Sequence, residues 1–149
     1  MAIQDHLSIQ LYTMRSLDDL DRILDIVADA GYRHVETVGS HLDHAADTYA
    51  KLAARGLTAS SSHVGMEALR ARPDAVVDAC RTIKIDQLFM PAVPPEQRDM
   101  AADGWRALGK ELGGLAEQLR GQGITLGYHN HEQQLQRGPL PLPGGQLPV

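Results

Sequence analysis

Five short apolar segments alternate along this chain with longer segments whose apolar residues recur at helical spacing. The strand-like segments are residues 7–14 (LSIQLYTM), 34–38 (HVETV), 57–64 (LTASSSHV), 86–93 (DQLFMPAV) and 124–132 (ITLGYHNHE). Helices are predicted after Ser16 as N-cap up to Gly31, and over residues 44–55, 67–82 with a break near Pro73, and 105–120. The pattern therefore predicts four strand–helix units followed by a fifth strand.

This alternation is typical of a parallel sheet covered by helices, an α/β fold. A closed barrel of eight such units takes about 250 residues, so residues 1–132 are expected to form a partial barrel. An open doubly wound sheet is the alternative, although no Gly-rich phosphate loop follows the first strand. Residues 133–149 hold four prolines and three glycines without periodicity, and are expected to form an extended or disordered tail.

Composition narrows the class of protein. The net charge is −5 and there is no cluster of Lys and Arg, which argues against nucleic acid as a partner. No apolar run reaches the roughly 18 residues of a membrane span, and no signal-peptide pattern is present. The single cysteine, Cys80, lies in a helical pattern and excludes an internal disulfide, which suits a cytoplasmic protein.

Polar residues collect near the predicted carboxyl ends of the strands. They are Gln10, Tyr12, Glu36, His63, His129 and His131. By strand alternation each can face the inside of a barrel, where strand ends converge on one mouth. Imidazole and carboxylate suit metal ligation or proton transfer beside a carbonyl. Simpler readings stay open: Glu36 could pair with Arg33 or Arg15, and the strand-end histidines could be ordinary surface residues. His34, His41 and His44 are predicted to lie on the surface.

Four segments resemble the sugar phosphate isomerase/epimerase family of the xylose-isomerase-like TIM-barrel superfamily. They are LSIQLYTMR, GYRHVETVG, SSSHVG and GITLGYHNHE, spread in order over residues 7–132. The resemblance implies the amino-terminal half of a TIM barrel, a divalent metal (Mn, Mg, Co or Zn) and isomerisation or epimerisation of a sugar or polyol. It places Glu36 and His63 among the catalytic residues. It implies that His129 and His131 contact substrate or support the metal. Gln10, Tyr12 and Asn130, which lie near the predicted strand ends, are expected to bind substrate as well.

The chain also departs from that pattern. Where the family commonly has a metal-binding glutamate after the YHNH motif, this chain has Gln134, a poor anionic substitute. Strands six to eight, which carry further ligands, are not found, so a fragment or a half of an assembly is expected, with weak metal binding. Three functions remain: a metal-dependent sugar isomerase or epimerase, a half-barrel that binds a polyol or another half through its open sheet edges, and a DNA-repair endonuclease of the superfamily.

Overall fold

The computed structural model of the protein describes residues 6–17, 19–91, 93 and 100–131. Its centre is a sheet of five parallel strands that neighbour one another in sequence order, β1-β2-β3-β4-β5. The strands are β1 (Ser8–Gln10), β2 (His34–Thr37), β3 (Thr58–His63), β4 (Gln87–Met90) and β5 (Thr125–Tyr128). A doubly wound sheet would reverse its strand order at a switch point, so the alternative fold is wrong and the partial-barrel prediction is confirmed.

Helices connect consecutive strands. They are α1 (Leu20–Asp29), α2 (Gly39–Asp43), α3 (Ala45–Ala53), α4 (Met66–Ala71), α5 (Pro73–Ile83) and α6 (Ala102–Arg120). The predicted break near Pro73 is confirmed, because α4 ends at Ala71 and Pro73 is the first residue of α5. The first residue of a helix has no intrahelical partner for its N–H group, so proline is tolerated there. The helix predicted over residues 44–55 is preceded by an additional short one, α2. Among the described helices, none is both long enough and apolar enough to cross a membrane.

The first strand is shorter than its sequence pattern predicts. β1 ends at Gln10, and Leu11–Leu17 form a 3₁₀ helix instead of continuing the strand. The cap of α1 also differs from the prediction of Ser16. Asp19 is the N-cap, and its carboxylate accepts the backbone N–H groups of Asp21 and Arg22.

The two faces of the sheet have opposite character. The outer face, covered by the helices, carries fully buried side chains such as Val35, Leu88 and Met90. The inner face carries mainly polar or small residues in register across the strands: Ser8, Gln10, His34, Glu36, Thr58, Ser61, His63, Gln87, Thr125 and Gly127, with Phe89 as the large apolar member. The hydrophobic core of this fold therefore lies between the sheet and the helices, and the inner face offers side chains that can form hydrogen bonds.

Both edges of the sheet are open. β1 pairs only with β2, and β5 pairs only with β4, in the part of the chain that the structure describes. The tail predicted for residues 133–149 lies outside the described residues, as does Gln134.

Candidate active site at the carboxyl ends of the strands

Three neighbouring strands bring three of the predicted site residues into direct contact. Gln10 ends β1, Glu36 lies near the end of β2, and His63 ends β3. The register pairs Gln10 with Glu36, so their side chains leave the sheet on the same face. The Gln10 Nε2 atom lies 2.9 Å from Glu36 Oε1, and His63 Nε2 lies 3.2 Å from that same oxygen. The sequence prediction that these residues meet is confirmed by this geometry.

A β-bulge in β2 determines which residue of β3 lies opposite Glu36. The pairing of β2 with β3 shifts between Val35 and Glu36, so that Val35 pairs with Ala59 but Glu36 pairs with Ser61. Bulges redirect side chains locally and are common beside active sites. Here the shift places Ser61 opposite Glu36, and the Ser61 hydroxyl donates to Glu36 Oε2 over 2.6 Å.

Both oxygens of the Glu36 carboxylate are therefore occupied. Oε1 faces Gln10 Nε2 and His63 Nε2, and Oε2 accepts from Ser61. A carboxylate oxygen has two acceptor sites, so Oε1 can accept from both nitrogens if His63 carries its proton on Nε2. The other tautomer would set an imidazole lone pair against an anion. The contact with Glu36 favours the tautomer that carries its proton on Nε2, while Gln10 Nε2 also lies 3.2 Å from His63 Nε2 and 3.5 Å from Nδ1.

His63 is largely enclosed, with 9% of its surface exposed. This burial lowers the pKa of His63 below its usual value; the Glu36 carboxylate opposes the change, and His129 and His131 add to it. The imidazole is consequently neutral at neutral pH. A neutral imidazole held by a carboxylate on one nitrogen can accept a proton on the other.

Two further histidines continue this group from the loop after β5. The ring of His129 meets the ring of His63 edge-on, with centroids 5.0 Å apart and planes at 83°. The ring of His131 lies 4.9 Å from that of His129 at a tilt of 35°. His129 is exposed and His131 half-buried. The prediction of a strand over residues 124–132 was wrong for both histidines, because β5 ends at Tyr128, yet the loop still brings the His129 ring against that of His63.

A cavity of about 430 Å³ opens above these residues. Its walls include Gln10, Tyr12, Val38, Gly39, His63, Val64, Gly65, Pro91, His129 and His131. Tyr12 lies in the 3₁₀ helix rather than in β1, and 54% of its surface is exposed. The predicted strand position of Tyr12 was wrong, yet its side chain still borders the mouth. Asn130 borders an adjoining opening of about 330 Å³ together with Glu36, His63 and Phe89.

The other histidines were predicted to be surface residues, with mixed results. His44 is exposed, and His34 is half-buried, its Nδ1 lying 2.7 Å from the hydroxyl oxygen of Thr58. His41 is also half-buried, and its Nδ1 accepts the backbone N–H of Val38 over 3.1 Å. Burial lowers the pKa of His41. The surface prediction for His41 was therefore wrong, because this imidazole closes the start of α2.

The described residues do not fit a bound divalent metal. Within residues 6–17, 19–91, 93 and 100–131, no three His, Cys, Asp or Glu side chains are arranged to hold an ion. Glu36 already uses both oxygens in hydrogen bonds, while tight catalytic sites commonly supply three protein ligands. In the described part of the chain, hydrogen bonds join the side chains of this site instead.

Ser61 and Phe89 were not predicted as site residues. Alternation back from His63 places Ser61 on the same face, so a signal for this residue was present in the SSSH segment. Phe89 gave no comparable signal, because one aromatic residue in an apolar strand reads as core. Its position on the inner face follows from its pairing with His63 and Gly127.

Comparison with solved structures finds the same architecture in larger proteins. The probable 3-DHS dehydratase AsbF from Bacillus anthracis has a TM-score of 0.57 and 12% identity, over 80% of this chain and 50% of that one. AP endonuclease, family 2, from Brucella melitensis has a TM-score of 0.60 and 16% sequence identity, over 74% of this chain and 49% of that one. A xylose isomerase domain protein from Planctomyces limnophilus has a TM-score of 0.50 and 14% sequence identity, over 75% of this chain and 51% of that one.

No protein-family model matches the chain, and no curated protein sequence does so. The chain spans about half the length of the solved structures that it matches. At identities of 12–16% these matches establish the fold and leave the reaction undetermined. By its parallel sheet, its strand order and these structural matches, the chain has the fold of about half of a TIM barrel.

Proposed function

We propose that this site belongs to an isomerase or epimerase that moves a proton next to the carbonyl of a sugar or related polyol. The observation that carries the proposal is the Gln10–Glu36–His63 contact, in which a buried neutral imidazole is held by a carboxylate at the mouth of the partial barrel. Such a pair is suited to a general base, because the carboxylate fixes the tautomer and stabilises the imidazolium that forms.

In this proposal His63 Nδ1 accepts the proton from the carbon beside the carbonyl. The positive charge then spread over the ring is balanced by Glu36, whose Oε1 lies 3.2 Å from Nε2. Gln10 and Ser61 keep that carboxylate in place through bonds of 2.9 and 2.6 Å. For isomerisation the imidazolium returns the proton to the neighbouring carbon, while the hydroxyl proton moves from one oxygen to the other. For epimerisation water on the opposite face of the same carbon supplies the proton, and the imidazolium releases its own proton to solvent.

Substrate hydroxyls are assigned to the remaining polar residues of the mouth. His129 and His131 line the cavity of the mouth and Asn130 lines the adjoining opening, and all three side chains carry hydrogen-bonding nitrogen or oxygen atoms. Hydrogen-bonding groups around a cavity of about 430 Å³ suit a small polyol.

A divalent metal remains the expectation from the family resemblance. The described residues do not supply its site, so no step of this mechanism depends on it. A metal in the complete protein would need further ligands, and Gln134 offers only a neutral amide oxygen.

A half-barrel that binds a polyol without turnover is the second candidate. The observation that favours it is the exposure of His129 and Asn130 on a face that is open as it stands. The third candidate, an endonuclease, is disfavoured by the net charge of −5, since phosphate backbones attract basic surfaces.

The test is solvent exchange at carbon. The chain, alone and joined to strands that complete the barrel, is incubated in D₂O with a panel of ketoses and aldoses, with and without Mn²⁺. NMR then follows deuterium entering the carbon next to the carbonyl. We expect exchange in the completed protein, lowered about 100-fold or more by His63→Ala, and unchanged by His44→Ala on the exposed side of the fold.

Two results would decide against this assignment. Full exchange in a folded His63→Ala, His129→Ala double variant would remove the active-site role of the mouth. Saturable sugar binding in a completed protein without any exchange would select the non-catalytic half-barrel.

A further inference from the structure

A second cavity adjoins the mouth. It has a volume of about 370 Å³ and shares Tyr12 and Val38 with the first cavity, so these two residues form the boundary between them. Its lining consists of Leu11, Tyr12, Arg15, Leu20, Ile23, Val38, Ser40 and His41. A ligand in the mouth could therefore extend past the Tyr12 ring into this neighbouring space.

Arg15 is held at the rim of this second cavity. Its guanidinium carbon lies 4.3 Å from the centre of the Tyr12 ring, and its Nη1 donates to the Tyr12 carbonyl over 2.9 Å. A guanidinium group has five N–H donors in a planar fork, and one such bond leaves most of them available. No carboxylate contacts Arg15 among the described residues. Arg15 thus presents an oriented positive charge on a cavity wall.

The second polar wall comes from α2. His41 Nδ1 accepts the Val38 N–H, so the neutral imidazole must carry its proton on Nε2 and acts there as a donor. Burial favours this neutral form by lowering the pKa of His41. Ser40 adds a hydroxyl beside it. The described lining contains no acidic residue, and its other members are apolar apart from the Tyr12 hydroxyl.

We propose that this second cavity binds a small oxyanion group, phosphate or carboxylate, carried by a substrate whose carbon chain occupies the mouth. Arg15 supplies charge and paired donors, while Ser40 and His41 supply neutral donors from the facing element. An apolar wall lowers the local dielectric and strengthens such charge-assisted bonds. The assignment of the anion to a substrate rests on the proposed function; the binding of an oxyanion at this cavity does not.

The test is titration of the intact chain with inorganic phosphate, and separately with acetate, followed by amide NMR at neutral pH and constant ionic strength. We expect saturable shifts at residues 38–41 and at Arg15, with the tighter anion identifying the group. Arg15→Gln should weaken phosphate binding about tenfold or more, since charge-assisted bonds are among the strong ones, and Arg15→Lys should recover part of it. Ser40→Ala provides a second, milder loss.

Arg22→Gln is the matched control, because it removes the same charge from an exposed position on α1 that does not line the cavity. Equal losses in Arg15→Gln and Arg22→Gln, or shifts that never saturate, would overturn the proposal. If phosphate does not bind, while an uncharged sugar still shifts the NMR signals of His63 and His129, the anion site is wrong and the proposed function stands. If phosphate binds as expected while no sugar binds to or exchanges in the completed protein, the anion site stands and the proposed function fails.

Discussion

Gly127→Ala should destabilise the protein although alanine is ordinarily a better residue than glycine in a folded chain. Gly127 lies on the inner face of β5, paired with Phe89 of β4. A methyl group at this position would lie 2.8 Å from both Cδ1 and Cε1 of the Phe89 ring. Contacts of that length are repulsive, so the ring must rotate or the two strands must move apart.

The magnitude follows from two opposing terms. Overpacking a fitted site costs about 1–3 kcal/mol. Restricting the unfolded chain by replacing glycine gives back about 0.4–1 kcal/mol, provided the native backbone suits alanine. Gly127 has no positive φ, so that second term applies. The net loss in the free energy of unfolding is therefore about 1 kcal/mol, within a range of roughly 0–2.6 kcal/mol.

Urea unfolding followed by circular dichroism measures this loss. Gly113→Ala is the control: it lies inside α6 with open space around the added methyl group, and should gain roughly 0.5–1 kcal/mol. Shortening the partner in Phe89→Leu, Gly127→Ala should recover part of the loss. If Gly127→Ala alone proves as stable as the wild type, the packing of Phe89 over β5 is wrong.

Three further predictions concern metal, association and acid. Isothermal titration with Mn²⁺ should detect only weak binding to the chain alone, and stoichiometric metal that survives gel filtration would contradict this. Light scattering should show self-association that grows with concentration, because β1 and β5 have unpaired outer edges within the described part of the chain; a monodisperse monomer would refute it. The contribution of the two buried histidines to the free energy of unfolding should be greatest above pH 6.5, the usual imidazole pKa. The free energy of unfolding should therefore decrease as the pH is lowered below 6.5. The unfolded chain then binds more protons than the buried His63 and His41; a urea midpoint that rises on acidification would overturn the assignment.

The sequence predicted the fold well because strand alternation and helical spacing are local signals. Five strands and the break at Pro73 all follow from periodicity and chain geometry. The end of β1 did not, because LYTM after Gln10 continues the alternation of a strand. Tertiary packing of Leu11, which is 2% exposed, decided the conformation there.

The candidate site was predicted at the level of which residues meet, and less well at the level of how they bond. The contact between Gln10, Glu36 and His63 was predicted because alternation puts all three on one face of the sheet and each lies near the carboxyl end of its strand. The bulge that sets Ser61 opposite Glu36 depends on inter-strand register, which a single sequence does not encode locally. His41 was misplaced for the same kind of reason: its burial depends on the contact of α2 with its surroundings rather than on periodicity.

Proton titration of His63 by NMR in the wild type and in Glu36→Gln tests directly whether a buried imidazole is paired with this carboxylate. We expect a His63 pKa below 6.5 in the wild type, because burial and the neighbouring imidazoles outweigh Glu36. Removing the Glu36 charge should lower the His63 pKa further. A His63 that titrates at its usual value and ignores Glu36→Gln would contradict the buried carboxylate–imidazole pair on which the proposed chemistry depends.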